Sequence, residues 1–277
     1  MHSEGKTDTI TVPAIIPAYG SPDQLDRCLA HLRNQSVPAE VFIRDNNHDN
    51  VYFTAAINEG IQKYLHQNYP YIMILNQDMY LEPTAVAEMV SFMASHPECG
   101  IAAPLQRHAQ NPDRVIWGGS FEAFPVGKHR HGVLAEFTLD EQVPWCNGSC
   151  MLLRKKMIHQ IGLLDENFVF IGSDSDYCFT ARARGWQVWM VVRARGVHEY
   201  GSSQAGSDPT LELLKAKDML YFAKKWLTGD LYKMLAHDAI TCTPAQIEES
   251  IHQLERLRDQ WAEIADAGHL TPAFPHI

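Results

Sequence analysis

The stretch YIMILNQDMYLEP, residues Tyr71–Pro83, decides how this chain folds. Its first five residues, Tyr71–Leu75, are all apolar, which is typical of a strand buried in the core of a sheet. The apolar run ends abruptly in Asn76, Gln77 and Asp78. Core strands carry few charged residues, so this triplet marks either a turn or the start of a site.

The sequence around this stretch alternates between strand and helix patterns. Strand-like apolar runs lie at 11–16, 40–44, 71–75 and 100–104, and helical patterns begin near residues 22, 53 and 83. This alternation predicts an α/β fold with a mostly parallel central sheet and helices on both of its faces. Ser21, Pro22 and Gln24 have the pattern of a capping box at the start of the first helix.

Three of the predicted strands end at the edge where open α/β sheets bind ligands. Two of the three strand ends present an acid, which favours a ligand site at this edge over two unrelated turns. An Asx turn remains the alternative for Asp45 in the segment DNNHDN. The candidate residues at this edge are Pro17, Ala18, Tyr19, Asp45, Asn76, Gln77 and Asp78.

The second half of the chain is less regular. Strands are expected at 150–153 and 187–192, and helices at 155–161, 175–184, 209–227 and 244–266. We interpret residues 1–229 as one catalytic domain and residues 230–277 as a C-terminal helical appendage, through which the chain could form a homo-oligomer.

Composition limits the partners and the compartment. The net charge of −10 argues against nucleic acid as a partner and against a general affinity for anionic membranes, since both require a basic surface. The six cysteines lack zinc-site spacing, which favours reduced thiols in a cytoplasmic protein. The N-terminus lacks an apolar signal core, and no apolar run approaches the roughly 20 residues of a membrane span. Peripheral contact with the inner face of the membrane is compatible with this pattern.

Three blocks, in order, carry a resemblance to a known family. They are AIIPAYGSPDQLDRCLAHLRNQ (14–35), LNQDMYLEPTAVAEMV (75–90), and a segment from NGSCMLLRKK (147–156) through GSDSDYC (172–178) to VHEYGSS (197–203). Together they resemble inverting family 2 glycosyltransferases of the GT-A fold, in the rhamnosyltransferase-like branch. The resemblance covers residues 10–225. It implies a hexosyltransferase-type enzyme that transfers a sugar from a nucleoside diphosphate (UDP, dTDP or GDP type) to a hydroxyl of a glycan or lipid-linked acceptor.

The resemblance also implies a divalent cation, Mn²⁺ or Mg²⁺. Asp78 matches a metal-binding acid of the family, and Asn76 takes the first position of what is often an Asp-x-Asp motif. His198 matches a histidine that completes the metal shell, although a lone histidine is more often structural. Neutral imidazole and carboxylate oxygen are both suitable ligands for Mn²⁺-type ions.

The same resemblance assigns the nucleotide to the first strand ends. Asp45 matches an acid that binds the base or ribose, beside the backbone of Pro17, Ala18 and Tyr19. Asn58 is a weaker match, and a plain helix amide is the alternative for it.

The catalytic base is expected in GSDSDYC. In the resembling family this segment is Glu-Asp-x-Asp, so Asp174 matches the base, Asp176 a supporting acid, and Ser173 replaces the glutamate. Both acids could instead be helix caps.

Other features have competing interpretations. Trp145 is the candidate for acceptor binding and Trp117 a weaker one, and a core position is the alternative for both. The basic segment GKHRHG (127–132) is predicted to be a solvated loop rather than a phosphate contact. The amphipathic segment 213–227 packs in the core or rests on a membrane.

Two rival functions remain at this point. A nucleotidyltransferase would need a glycine-rich phosphate loop with a basic residue after the first strand, which PAYGSPD does not offer. A sugar-nucleotide-binding scaffold without turnover is the other rival, because Asn76 and Ser173 depart from the family pattern.

Overall fold

A mixed ten-stranded sheet organises the computed structural model of the protein, which describes residues 10–122, 128–199, 208–227 and 243–269. The described strands are β1 (Val12–Ala18), β2 (Ala39–Asp45), β3 (Tyr71–Leu75), β4 (Met79–Leu81), β5 (Cys99–His108), β6 (Asn111–Trp117), β7 (Ser120–Glu122), β8 (Lys128–His129), β9 (Gly132–Val133), β10 (Glu141–Gln142), β11 (Cys150–Arg154) and β12 (Gln187–His198). The described helices are α1 (Pro22–Arg33), α2 (Tyr52–Leu65), α3 (Ala85–Ser95), α4 (Lys155–Ile161), α5 (Ser173–Ala183), α6 (Pro209–Trp226) and α7 (Pro244–His269), and Leu134–Glu136 form a 3₁₀ turn.

The main path of the sheet runs β10-β12-β5-β11-β3-β1-β2. Strand β1 pairs in parallel with β2 and β3, and β5 pairs in parallel with β12. Strand β11 lies antiparallel between β3 and β5, so these two neighbours point the same way. Five of the seven strands on this path therefore share one direction, which confirms the predicted α/β fold with a mostly parallel sheet.

Helices cover both faces of the sheet, as predicted. Side chains of β1 alternate between the two layers, since Ile15 packs with Ile57 of α2 whereas Ile16 packs with Cys28 of α1 and Met89 of α3. Helices α5, α6 and α7 lie in the same layer as α2. Each parallel strand therefore ends at one edge, with helices above and below it.

Several element bounds differ from the sequence expectations. Strand β12 continues beyond Val192 to His198 because its last residues pair with β4. The prediction of a capping box at Ser21 is wrong. The Ser21 side chain makes no cap hydrogen bond, and the Gln24 amide donates instead to the Glu199 carboxylate, 3.2 Å away. Helix α5 begins at Ser173, two residues earlier than expected.

The C-terminal helices α6 and α7 pack together in the layer that also contains α2. Leu220 and Trp226 of α6 lie in the same core as Ile247 and Leu254 of α7, so the core alternative describes the apolar face of α6. The predicted domain boundary at 229/230 lies outside the described residues. Within the part of the chain that the structure describes, no helix has both the length and the apolar character that crossing a bilayer requires.

Candidate active site

A cavity of about 340 Å³ opens at the edge where the parallel strands end. Segments distant in sequence line it, among them the end of β3, the loop before β11, the start of α5 and the end of β12. Single residues of α2, β8 and α6 complete the lining. The lining residues used below are Phe53, Asn76, Asp78, His129, Trp145, Asn147, Gly148, Ser149, Phe170, Ser173, Asp174, His198 and Lys215.

Asp78 and His198 face each other at the base of this cavity. Strand β4 follows Asp78 directly and pairs antiparallel with β12, with Met79 opposite His198. The pairing brings His198 Nε2 to 3.3 Å from Asp78 Oδ1, and each residue is only 7% exposed. The Glu199 N–H also donates to the Asp78 carbonyl at 2.9 Å. The structure thus brings together two residues that the resemblance had paired as metal ligands.

Asp174 is half-buried and its carboxylate is held on both sides. Oδ2 accepts a hydrogen bond from the Gly148 N–H at 2.7 Å, and Oδ1 accepts one from the Ser175 N–H at 2.7 Å. Burial raises the pKa of the Asp174 carboxyl, while these backbone hydrogen bonds act to lower it. A carboxyl with a raised pKa that faces a cavity is suited to accept a proton.

Asp176 faces away from the cavity. Its side chain is buried, with Oδ1 2.8 Å from Lys225 Nζ and 2.7 Å from the Trp226 indole N–H of α6. Burial raises the pKa of the Asp176 carboxyl, opposed by Lys225. Asp176 therefore ties α5 to α6, and the structure does not bring it together with Asp174.

The predicted nucleotide residues form a continuous rim beside the cavity. The Gln77 amide pairs with the backbone of Tyr19, accepting from its N–H at 2.9 Å and donating to its carbonyl at 2.7 Å. The Gly20 N–H donates to Asn47, whose own N–H donates to Asp45 Oδ1. The hydrogen bond from the Asn47 N–H places the exposed Asp45 carboxylate in an Asx turn, the alternative that the sequence left open for it. Hydrogen bonds from Asn47 lower the pKa of this carboxyl.

The backbone of β1 completes the rim. Ala18 ends the strand and its carbonyl accepts from the Asn46 N–H at 2.8 Å, while Pro17 precedes it in the sheet. Tyr19, 62% exposed, projects from this edge.

Trp145 lines the cavity although it is 5% exposed, and the His129 ring lies 5.3 Å from it. Burial, with smaller contributions from His131 and His198, lowers the pKa of His129 to about 4. The expectation of a solvated loop at GKHRHG is wrong for His129, which pairs in β8 and faces the cavity. Residue 127 lies outside the described residues.

The two weaker candidates, Trp117 and Asn58, are buried and bond to other protein groups. Trp117 is fully buried and its indole N–H donates to Ser120 at 3.0 Å. Asn58 donates to the Leu164 carbonyl at 2.9 Å and to Glu166 at 2.8 Å. Residues 200–203 of the segment VHEYGSS lie outside the described residues.

Sequence reasoning missed several residues that build the cavity. Asp218 of α6 accepts hydrogen bonds from the N–H groups of Val169, Phe170 and Ile171, at 3.1, 2.7 and 2.9 Å, and so fixes the loop that enters α5. Asn147 accepts from Ser149 at 2.6 Å and from Gln106 at 2.7 Å. No local pattern identifies Asp218, whereas Asn147 lies inside a recognised block.

Gly148 was also missed, and its lack of a side chain is required. A Cβ at this position would lie 2.8 Å from the Phe53 ring and 3.4 Å from Asp174 Cβ. The absent side chain lets the backbone N–H of Gly148 approach the Asp174 carboxylate.

The donor set at Asp78 and His198 fits a divalent cation of the Mn²⁺ type, because it combines a carboxylate oxygen with an imidazole nitrogen. Among the described residues, no group of three or more His, Cys, Asp or Glu side chains is arranged around one metal position. These two residues would therefore share the ion with other ligands.

Solved structures define the class of the fold. The chain is similar to GalNAc-T7 with UDP, GalNAc and Mn²⁺, with a TM-score of 0.56 and 11% identity over 89% of this chain and 55% of that one. It is also similar to the mannosyltransferase PcManGT from Pyrobaculum calidifontis in complex with GDP-Man and Mn²⁺, with a TM-score of 0.52 and 14% identity over 95% and 76% of the two chains. The fold is that of the GT-A glycosyltransferases.

The family follows from the sequence. The model of the family described as "Glycosyltransferase like family 2" matches residues 51–256, and the chain belongs to this family. A relative, the N-acetylglucosaminyl-diphospho-decaprenol L-rhamnosyltransferase of Mycobacterium tuberculosis (strain ATCC 25618 / H37Rv), is 24% identical over 161 residues. That alignment covers 52% of this chain and 51% of the relative, so the chain spans about half the length of the curated relatives it matches.

Proposed function

We propose that the protein catalyses metal-dependent, inverting transfer of a sugar from a nucleoside-diphosphate donor to a hydroxyl of a glycan or lipid-linked acceptor. The observation that carries the proposal is one cavity, in a family 2 chain, lined by both the Asp78–His198 pair and Asp174. In this proposal the Asp78–His198 pair acts at the leaving group of a single displacement, and Asp174 acts at the nucleophile.

Asp78 and His198 would hold the divalent cation, with Asn76 beside them. Mn²⁺ or Mg²⁺, when bound, supplies positive charge that offsets the charge developing on the diphosphate leaving group. Burial of both residues excludes water from one side of this position, which strengthens electrostatic interactions there. Lys215 lines the same cavity, where its ammonium lies 2.7 Å from the Glu212 carboxylate.

Asp174 acts as the general base. It takes the proton of the acceptor hydroxyl as that oxygen bonds to the anomeric carbon and the bond from that carbon to the diphosphate oxygen breaks. The raised pKa makes Asp174 a stronger base than an exposed aspartate, and the hydrogen bonds from Gly148 and Ser175 fix its orientation.

The nucleotide lies on the rim formed by Pro17, Ala18, Tyr19, Asp45 and Gln77. The Asp45 carboxylate is an exposed acceptor for donors on a base or ribose. The Gln77–Tyr19 pair holds the rim against the segment that carries Asp78.

The acceptor sugar binds against Trp145. A neutral His129 beside the indole extends the aromatic surface on which a sugar ring can pack. The name of the rhamnosyltransferase relative describes a decaprenyl-diphosphate-linked sugar as its acceptor, which supports a lipid-linked acceptor here. With such an acceptor, a cytoplasmic protein would work at the inner face of the membrane.

The test is release of nucleoside diphosphate from UDP-, dTDP- and GDP-sugars with octyl glycosides as acceptors, in Mn²⁺, Mg²⁺ or EDTA. We expect release with at least one donor in metal and none in EDTA. Binding of a donor without any release would favour the scaffold function and contradict the proposal.

Calorimetry of Mn²⁺-dependent binding of the nucleoside diphosphate tests the metal position. Asp78→Ala should abolish the metal dependence, and His198→Ala should weaken it. Asp23→Ala, which removes an exposed acid in the first turn of α1, is the matched control. Unchanged Mn²⁺-dependent affinity in Asp78→Ala would show that the metal assignment is wrong.

A further inference from the structure

Ser173 presents a buried hydroxyl to the cavity. It is the first residue of α5, its side chain is 1% exposed, and it lines the cavity next to Asp174. Gly172 before it has φ +82°, a left-handed conformation that suits glycine and that turns the chain into the helix here. Among the described residues, Ser173 Oγ has no hydrogen-bond partner.

Two neighbouring hydroxyls differ from Ser173 in this respect. Ser149 Oγ donates to Asn147 at 2.6 Å, and Ser175 Oγ donates to Asp174 at 3.4 Å. Burying a polar group without a hydrogen bond is costly, so such a group in an active-site wall points to a partner on the substrate.

We propose that Ser173 binds the acceptor hydroxyl that neighbours the reacting one, so that this site selects acceptor sugars with a vicinal diol. This inference rests on the proposed function, in which Asp174 takes the proton of the reacting hydroxyl. Ser173 and Asp174 are consecutive in the first turn of α5 and line the same cavity. Neighbouring hydroxyls of a sugar ring are also adjacent, so a sugar with one hydroxyl at Asp174 can present the next hydroxyl to Ser173. A hydroxyl both donates and accepts, so Ser173 suits a sugar hydroxyl better than a charged group.

The position beside the base favours the acceptor over the donor. The diphosphate of the donor belongs with Asp78 and His198 at the ends of β3 and β12, whereas Ser173 lies at the start of α5 with Asp174. Ser173 is therefore a specificity-determining residue for the acceptor.

The experiment compares Ser173→Ala and Ser173→Cys with wild type. Acceptor KM and kcat are measured with octyl pyranosides that carry a vicinal diol and with their monodeoxy counterparts, and donor affinity is measured by calorimetry. Both variants should raise the KM of diol acceptors about three- to tenfold, the usual loss for one hydrogen bond. They should bind the donor as wild type does, and on the monodeoxy acceptor all three proteins should have equal KM.

Two further measurements separate substrate binding from structure. Ser95→Ala removes a hydroxyl of α3 that has a partner and lies outside the cavity, and it should keep the preference for diol over monodeoxy acceptors. Thermal unfolding of Ser173→Ala should occur at the same or a higher temperature, because the substitution removes a hydroxyl without a protein partner.

An unchanged KM for diol acceptors in both variants, or an equal rise for diol and monodeoxy acceptors, would overturn the inference alone. Wild-type protein that transfers sugar to no acceptor would overturn the proposed function and this inference with it.

Discussion

At the scale of single residues, two acids separated by one residue have opposite environments. Residues two positions apart in an α-helix are rotated by about 200°, so Asp174 and Asp176 point to different sides of α5. Asp174 faces the cavity with its carboxylate held by backbone N–H groups, whereas Asp176 is buried against Lys225 and Trp226. The motif alone supplies both acids, and only their surroundings separate a candidate base from a structural ion pair.

This difference predicts different defects in two matched variants. Asp174→Asn should keep donor affinity and lower kcat by about 10²–10⁴, the usual contribution of a positioned base. Asp176→Asn should lower the free energy of unfolding by about 1.5–3 kcal/mol, because it weakens charge-assisted hydrogen bonds, while Lys225 keeps Asp165 as a partner. Transfer kinetics, calorimetry and urea unfolding of both variants check this, and near-normal turnover in Asp174→Asn would reverse the assignment.

The raised pKa of Asp174 predicts a pH dependence. A general base works only when deprotonated, so transfer should fall as the pH decreases through this pKa. Because burial raises the pKa, that fall should occur above the ordinary aspartate value of about 3.9. The check is the pH profile of kcat at saturating metal and substrates. The residual activity of Asp174→Asn should lack this limb, and an identical limb in that variant would assign it to another group.

Some of these residues could be predicted from the sequence and others could not. Asp45 ends the parallel strand β2 and Asp78 lies in the turn after β3, where a general rule places ligand sites. The pairing of His198 with Asp78 depends on β4 meeting the extended end of β12, and no periodicity in the sequence reveals this contact. The position of Asn147 beside Gln106 likewise depends on tertiary contacts over 41 residues.

At the scale of secondary-structure elements, α6 positions the entrance to α5. Its Asp218 is 1% exposed and accepts from the three consecutive N–H groups of residues 169–171, which lead into the cavity wall. Lys225, two turns further on, contacts both Asp165 and Asp176. Burial acts to lower the pKa of Lys225, but the two carboxylates raise it more, so the pKa is raised overall. The ammonium therefore remains charged between Asp165 and Asp176.

Removal of the Asp218 carboxylate should therefore affect catalysis from outside the cavity. Asp218→Ala leaves three backbone N–H groups without this acceptor, so we expect a lower unfolding temperature and a lower kcat as the loop before Asp174 loses its fixed position. Asp208→Ala, which removes the N-cap of the same helix, is the control. It should cost about 1 kcal/mol of stability with little effect on kcat per folded molecule.

An equal kcat in Asp218→Ala and Asp208→Ala, at matched folded fractions, would contradict a positioning role for Asp218.

The sequence predicted α6 closely, with an expected range of 209–227 against Pro209–Trp226. Its amphipathic pattern did not reveal which element it packs against, because an apolar helical face is compatible with a membrane and with a protein core alike.

At the scale of the whole molecule, the sheet gathers the site from distant parts of the chain. Parallel strands end at one edge, so residues 76–78 and 198 meet although they lie more than 100 residues apart. The strand and helix alternation of the first hundred residues predicted this architecture. The second half was harder to predict, because the reversed strand β11 inserts between β3 and β5 and short strands replace regular alternation.

The anomeric configuration of the transfer product tests the central claim most directly. The claim is that Asp174 serves as the base of a single displacement at the anomeric carbon. An anomerically pure donor that supports release of nucleoside diphosphate is combined with an octyl glycoside acceptor, and the new linkage is analysed by ¹H NMR. The account predicts a product whose anomeric configuration is opposite to that of the donor, and a product with the donor's configuration would contradict it.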